Sequence, residues 1–309
     1  MLGTIGIILN TAINNPSQVF FNKSISSDSP SSTIPFLRAG NLIIIKAKVD
    51  TIEGGFILDT GAPRLALNRI YFNHYPASRN GQDNEEGITG HILPACSTTV
   101  SQLSFGGIQY NNLEADQVNL AKIEKSKGIK IFGLLGLQLF RQFEMIIDYG
   151  QNLIHLRLIN GSERNILSVN NTQLSDTSRY TTTSIEIRED RLLIPGKVGG
   201  KKLTFMIDTG AESNIINSPL HNIISENIAI TSYVTLIGIG DRKIKALYGY
   251  MKNMKIGNHD ISTLPVLVTK LKNIGLYCNT WIDGMLGFDF LSLQKIGFNF
   301  VTGKMYLWK

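Results

Sequence analysis

The segment Phe56-Ile57-Leu58-Asp59-Thr60-Gly61-Ala62 returns 149 residues later as Phe205-Met206-Ile207-Asp208-Thr209-Gly210-Ala211. An internal repeat limits the folds open to a chain before any local pattern does. One recurrence of seven residues could be chance, but three further pairs keep the register. Gly133-Leu134-Leu135-Gly136 returns as Gly284-Met285-Leu286-Gly287 at an offset of 151, and an apolar segment follows each. Gly90, in Gly-Ile-Thr-Gly, matches Gly240 at 150, and Phe105-Gly106-Gly107 matches Ile256-Gly257-Asn258 at 151. Four matches in one order, with offsets drifting by two residues, describe two copies of a unit of about 125 residues.

Within each unit the patterning is β. Leu42-Ile43-Ile44-Ile45 with Ala47 and Val49, then Phe56-Ile57-Leu58, are apolar, largely β-branched runs bounded by glycine and polar turns. The stretches 180–187 and 192–198 repeat that arrangement. A short helix is expected after each Gly-Leu-Leu-Gly type motif, where Leu137, Phe140 and Phe143 fall at i, i+3 and i+6 on one face. Residues 161–179, rich in Asn, Ser, Thr and Asp, read as a linker. Residues 1–34 are largely polar and read as an extended N-terminal segment able to serve as a removable pro-segment. The two units then span 35–160 and 180–309.

Composition narrows the function classes. Of 309 residues, 43% are hydrophobic and 17% charged, which excludes a disordered chain and a coiled coil. No apolar run approaches the roughly 18 residues of a membrane-spanning helix; the run at 3–9 is far shorter. The net charge of +6 comes from short mixed clusters, such as 122–130 and 242–245, that read as solvated faces, so nucleic acid is not expected as a partner. Cys96 and Cys278 are too few for a disulfide framework, although one bridge is open to them. The five histidines never fall at metal-ligand spacing, so neither a metal nor a cofactor is expected.

Asp59 and Asp208 each end an apolar strand and lead into Thr-Gly-Ala. A carboxylate there is costly to bury alone. If the units pack about a pseudo-twofold axis through these turns, the carboxyls meet and share one proton, because two like charges about 3 Å apart cannot both ionise cheaply. The ionised member can take a proton from water while the neutral member donates to a carbonyl oxygen, so an amide is attacked without a covalent intermediate.

Two Asp-Thr-Gly turns, each followed about 75 residues later by an apolar-apolar-Gly motif, resemble the aspartic peptidase superfamily. The Ala after each glycine resembles its retropepsin-like branch. The resemblance implies an all-β, bilobal aspartic-protease fold made of two retropepsin-like closed β-barrel lobes, with both half-sites in one chain and therefore a monomer. Carried over residue by residue, it makes Asp59 and Asp208 the catalytic pair. Thr60 and Thr209 would bond across the lobe interface, and Gly61 and Gly210 would support the carboxylates. Leu134-Leu135-Gly136 and Met285-Leu286-Gly287 would brace the two turns from behind. The flap would come from the 86–94 hairpin, with Ile88, Gly90 and His91, and from Gly240 in the second copy. It offers no aromatic residue where pepsin-like members carry a tyrosine. The resemblance further implies an endopeptidase acting on an extended peptide or protein substrate; a catalytically silent peptide-binding module is the alternative. Ala62 and Ala211 lack the hydroxyl that helps hold the anion in pepsin-like members, so activity is expected in mild and not strong acid. Export to the periplasm or medium is expected from similar bacterial proteins, although 1–10 lacks the charged start of a signal peptide.

Other residues have plainer readings. Gly238-Ile239-Gly240 lacks the third glycine of a dinucleotide fingerprint. Asp148 pairs in the repeat with Asn299, which points to turns; Asp283 and Asp289 read as loop and helix-start residues, and Ser213 as a structural hydroxyl.

Overall fold

The computed structural model describes residues 3–4, 24–27, 29–76, 78–86, 92–159, 174–237, 243–271 and 281–309. The chain is mostly β and builds two lobes, each around its own large sheet. In the first lobe the strand Gly133–Gly136 lies between Ile52–Asp59, to which it is parallel, and Leu65–Asn68, to which it is antiparallel. In the second, Gly284–Leu286 lies in the same way between Lys201–Ile207 and Ile215–Asn217. The repeated motifs are thus the central strands of two equivalent sheets, and each is buried.

These strands read as unbroken apolar runs because both faces are covered. Along the first lobe, Ile43, Ile45, Phe56 and Leu58 enter one core cluster, while the alternate residues Leu42, Ile44 and Ile57 enter another. In the second, Ile194, Phe205 and Ile207 alternate with Leu193 and Met206 in the same manner. Each such side chain contributes about 1.5–3 kcal/mol by leaving water.

A six-stranded sheet joins the halves. Its central pair is Phe143–Asp148 with Ile296–Asn299, antiparallel, Glu144 opposite Asn299. Outward from that pair the first half adds Leu153–Leu158 and Ser31–Pro35, and the second adds Lys304–Trp308 and Tyr180–Ser184. The order is palindromic, as a pseudo-twofold relation requires. Ser31–Pro35 therefore corresponds to Tyr180–Ser184, and Ser24–Ser27 pairs with Ile108–Val118. Strand structure of the first lobe thus begins before residue 35, and removal of residues 1–34 would take away part of a paired strand and not only a free tail. Ladder bonds, which a polar stretch can make as well as an apolar one, override its composition here.

The helix expected after Gly136 is only a 3₁₀ turn, Leu137–Leu139, and Phe143 already opens a strand. The three apolar residues are buried as expected; a spacing of three without a fourth suits a 3₁₀ turn. After Gly287 a four-residue helix, Phe288–Leu291, does form. The helix Ala121–Lys127 was not legible, because Ile123 is its one buried residue. No helix of the described residues is long and apolar enough to cross a membrane.

Candidate active site

Each aspartate sits where a central strand stops and turns. Asp59 Oδ1 accepts from the amides of Gly61 at 2.9 Å and Ala62 at 3.1 Å, and Asp208 Oδ1 accepts from Gly210 at 2.8 Å. Both side chains are fully buried. Their second oxygens, Asp59 Oδ2 and Asp208 Oδ2, are buried and receive no donor from the rest of the described protein.

The two turns meet. A Cβ added to Gly61 would lie 2.5 Å from Asp208 Oδ2, and one added to Gly210 would lie 2.5 Å from Asp59 Cγ. Only glycine lets each turn approach the opposite carboxyl so closely, and neither residue has a positive φ, so the demand is steric. The threonines lock this approach. Thr60 N donates to Thr209 Oγ1 and Thr209 N to Thr60 Oγ1, both at 3.0 Å. Thr60 Oγ1 donates to the Ile207 carbonyl at 3.1 Å, and Thr209 Oγ1 to that of Leu58 at 2.9 Å. Each hydroxyl satisfies one amide and one carbonyl of the other lobe, so the lobes are joined beside the dyad by four buried bonds.

The motifs expected to brace the turns lie against them. Leu137 N donates to the Ala62 carbonyl and Phe288 N to that of Ala211, each at 2.8 Å. Leu135 and Leu286 are fully buried. A Cβ on Gly136 would come within 2.2 Å of the Arg64 carbonyl, and one on Gly287 within 2.5 Å of that of Ala211, so neither brace tolerates a side chain.

Burial pushes Asp59 well above the usual carboxylate range, and the facing Asp208 adds to it against the pull of the Ala62 and Gly61 amides. Burial likewise raises Asp208, to about 6, with the Gly210 amide as the main opposing influence. A proton shared between the two carboxyls would satisfy the second oxygens, which have no other partner among the described residues. Such a pair can withdraw a proton with one member and donate with the other.

Ile88, Gly90, His91 and Gly240, expected at the flaps, lie outside the described residues, as does Cys278; Cys96 is a free thiol. The strands on either side of those residues are paired, Glu86 opposite Ile92 and Ile237 opposite Lys243. Asp148 and Asn299 are turn residues as read: the first accepts from Gln151 N at 3.0 Å, the second from Thr302 N at 2.9 Å. Asp283 accepts from Thr204 N, and Ser213 bonds the helix-start Asp289.

Two features of the site escaped the sequence. Asn68 and Asn217, 149 residues apart, stand in equivalent places: their Oδ1 atoms accept from Leu120 N and Leu271 N, each at 3.3 Å. Their matched offset was a signal that the repeat could have supplied. The second is Lys127, placed by its sequence in a solvated cluster, whose side chain is only 9% exposed and pairs with Glu212.

Residues 194–290 match the family model described as an aspartyl protease. That span includes the Asp208 turn and the second brace. Among solved structures the chain is similar to the basic 7S globulin from soybean, at 9% identity over 90% of this chain and 94% of that one, TM-score 0.47. It is also similar to a retropepsin-like aspartic protease from Rickettsia conorii, at 21% identity over 44% of this chain and 93% of that one, TM-score 0.28. No curated protein matches the sequence. The aspartyl protease model thus covers about a third of the chain, and the turn and brace within it recur in the first half as Asp59-Thr60-Gly61 and Leu134-Leu135-Gly136.

Proposed function

We propose that this chain is an aspartic endopeptidase that works as a monomer, with Asp59 and Asp208 as its catalytic pair. One observation carries the reading: each carboxyl is tied to its own turn through one oxygen and keeps the other buried without a donor, and each turn's glycine packs against the opposite carboxyl. A structural aspartate would have both oxygens satisfied.

The reaction then follows from the shared proton. The ionised carboxyl takes a proton from a water between the pair as the water oxygen bonds to the scissile carbonyl carbon. The neutral carboxyl gives its proton to the carbonyl oxygen, and a gem-diol forms. One carboxyl then gives its proton to the amide nitrogen while the other takes a proton from a gem-diol hydroxyl, and the C–N bond breaks, leaving a carboxylic acid and an amine with the pair back in its one-proton state. An extended polypeptide suits a pair that lies between two lobes, and no second chain is needed to assemble it. The test is digestion of a peptide library by the wild-type and Asp208→Asn chains, with and without pepstatin, a mimic of the gem-diol. Cleavage by the wild type alone, blocked by pepstatin, supports the proposal. Pepstatin binding without turnover of any peptide would replace it with a silent peptide-binding module.

A further inference from the structure

We propose that Lys127 is a positioning residue for the second half-site: through Glu212 it holds the Asp208 turn from the opposite lobe. This rests on the peptidase reading above. Glu212 follows Ala211 directly, so it belongs to the loop that presents Asp208. Lys127 Nζ donates to Glu212 Oε1 at 2.5 Å, with the two side chains 9% and 10% exposed. The hairpin tip at Gly40 closes over the pair; a Cβ there would lie 3.0 Å from Lys127 Nζ and 3.3 Å from Glu212 Oε2.

Lys127 can act as an anchor because its helix is fixed to the first lobe. Ile123 is buried in the cluster that contains Ala62, Ile57 and Leu134. Glu124 Oε1 accepts from Tyr71 Oη at 2.6 Å and from Ile131 N at 2.8 Å. The helix ends at Gly128, in the left-handed conformation, immediately after the lysine. The arrangement is one-sided: the residue at Glu212's place in the first copy is Pro63. The Asp59 turn therefore lacks this tie, and the Asp208 turn carries it.

Removing the cation leaves Glu212 as a buried anion beside Asp289, whose own acidity it already weakens. The loop then moves to hydrate that charge. A displacement on the scale of 1 Å at the reacting groups lowers turnover by about 100-fold.

The experiment measures kcat, KM and pepstatin affinity for the full chain as wild type, Lys127→Met, Lys127→Arg, Glu212→Gln and the Lys127→Met/Glu212→Gln double variant, each checked for folding by its unfolding midpoint. We expect Lys127→Met to lower kcat at least 10-fold with KM within about threefold. Lys127→Arg and the double variant should recover most of the loss, since neither leaves a lone buried charge. A folded Lys127→Met chain within twofold of wild type in kcat and pepstatin affinity overturns the proposal. So does a loss that the double variant does not relieve. The peptidase reading fails separately, when wild type and Asp208→Asn turn over the library equally; the lysine is then judged on pepstatin affinity alone, and unchanged affinity overturns it.

Discussion

Replacing Gly210 with alanine tests the closeness of the two half-sites with a single methyl group. Its Cβ would sit 2.5 Å from Asp59 Cγ, 2.6 Å from Oδ1 and 2.8 Å from Oδ2. Ordinary carbon contacts begin near 3.5 Å, so the carboxyl or the turn must move by about 1 Å. The carboxyl is held by the Gly61 and Ala62 amides, and the turn by the threonine bonds. Neither gives way freely. Overpacking of this kind destabilises by about 1–3 kcal/mol. A 1 Å displacement of a reacting group lowers turnover by about 100-fold, equivalent to about 2.7 kcal/mol. Gly200→Ala is the control. That glycine has φ +81° and open space around it, so alanine there carries only the left-handed backbone penalty of about 1–2 kcal/mol and leaves the dyad untouched. Denaturant unfolding and kcat on one cleaved peptide, measured for both variants, separate the effects. Gly210→Ala with kcat within twofold of wild type and an unchanged midpoint would refute the claim that the turns are in contact.

Three other outcomes follow. Thr60→Val keeps the shape but strands the Thr209 amide and the Ile207 carbonyl, so denaturant unfolding should show a loss of about 2–4 kcal/mol, with Thr60→Ser much milder. In the sheet between the lobes, Glu144 accepts from Asn299 Nδ2, Tyr306 Oη and the Arg157 guanidinium; Glu144→Leu leaves these donors facing a methyl group, and the same assay should register about 3–5 kcal/mol. The pH dependence has a definite sign. A carboxyl raised in the folded state stabilises the fold below its ordinary value and loses that contribution as pH rises through its raised value. Between about pH 4 and 6 the wild type should therefore lose stability relative to Asp208→Asn, as read from unfolding midpoints. Cleavage should fall towards strong acid, where both carboxyls are protonated, and a rate maximum below about pH 3 would contradict this.

What was legible in the sequence was whatever lies within a few residues and recurs. Asp59 and Asp208, the glycines beside them and the two braces are all local strings, and the repeat ties each to its twin. The cross-lobe threonine bonds were within reach only because the resemblance supplied their partners. What stayed hidden depends on long-range pairing. Ser31–Pro35 is a strand because Leu153–Leu158 offers it a ladder, and nothing in its polar residues announces that partner. Lys127 sits in a charged run, and its burial depends on Glu212, 85 residues away. Glu144 looks like a solvent-facing residue of an alternating strand, yet its partners Asn299 and Tyr306 come from the other half. The spacing of Leu137, Phe140 and Phe143 identified their burial correctly but overstated the helix, because three-residue spacing fits a 3₁₀ turn as well.

The central claim is that Asp59 and Asp208 act together on one water, and its most direct measurement is the turnover of a peptide library by the Asp208→Asn chain beside the wild type in mild acid. The account expects cleavage by the wild type and none by a variant that folds and unfolds normally. Wild-type turnover in Asp208→Asn would contradict it.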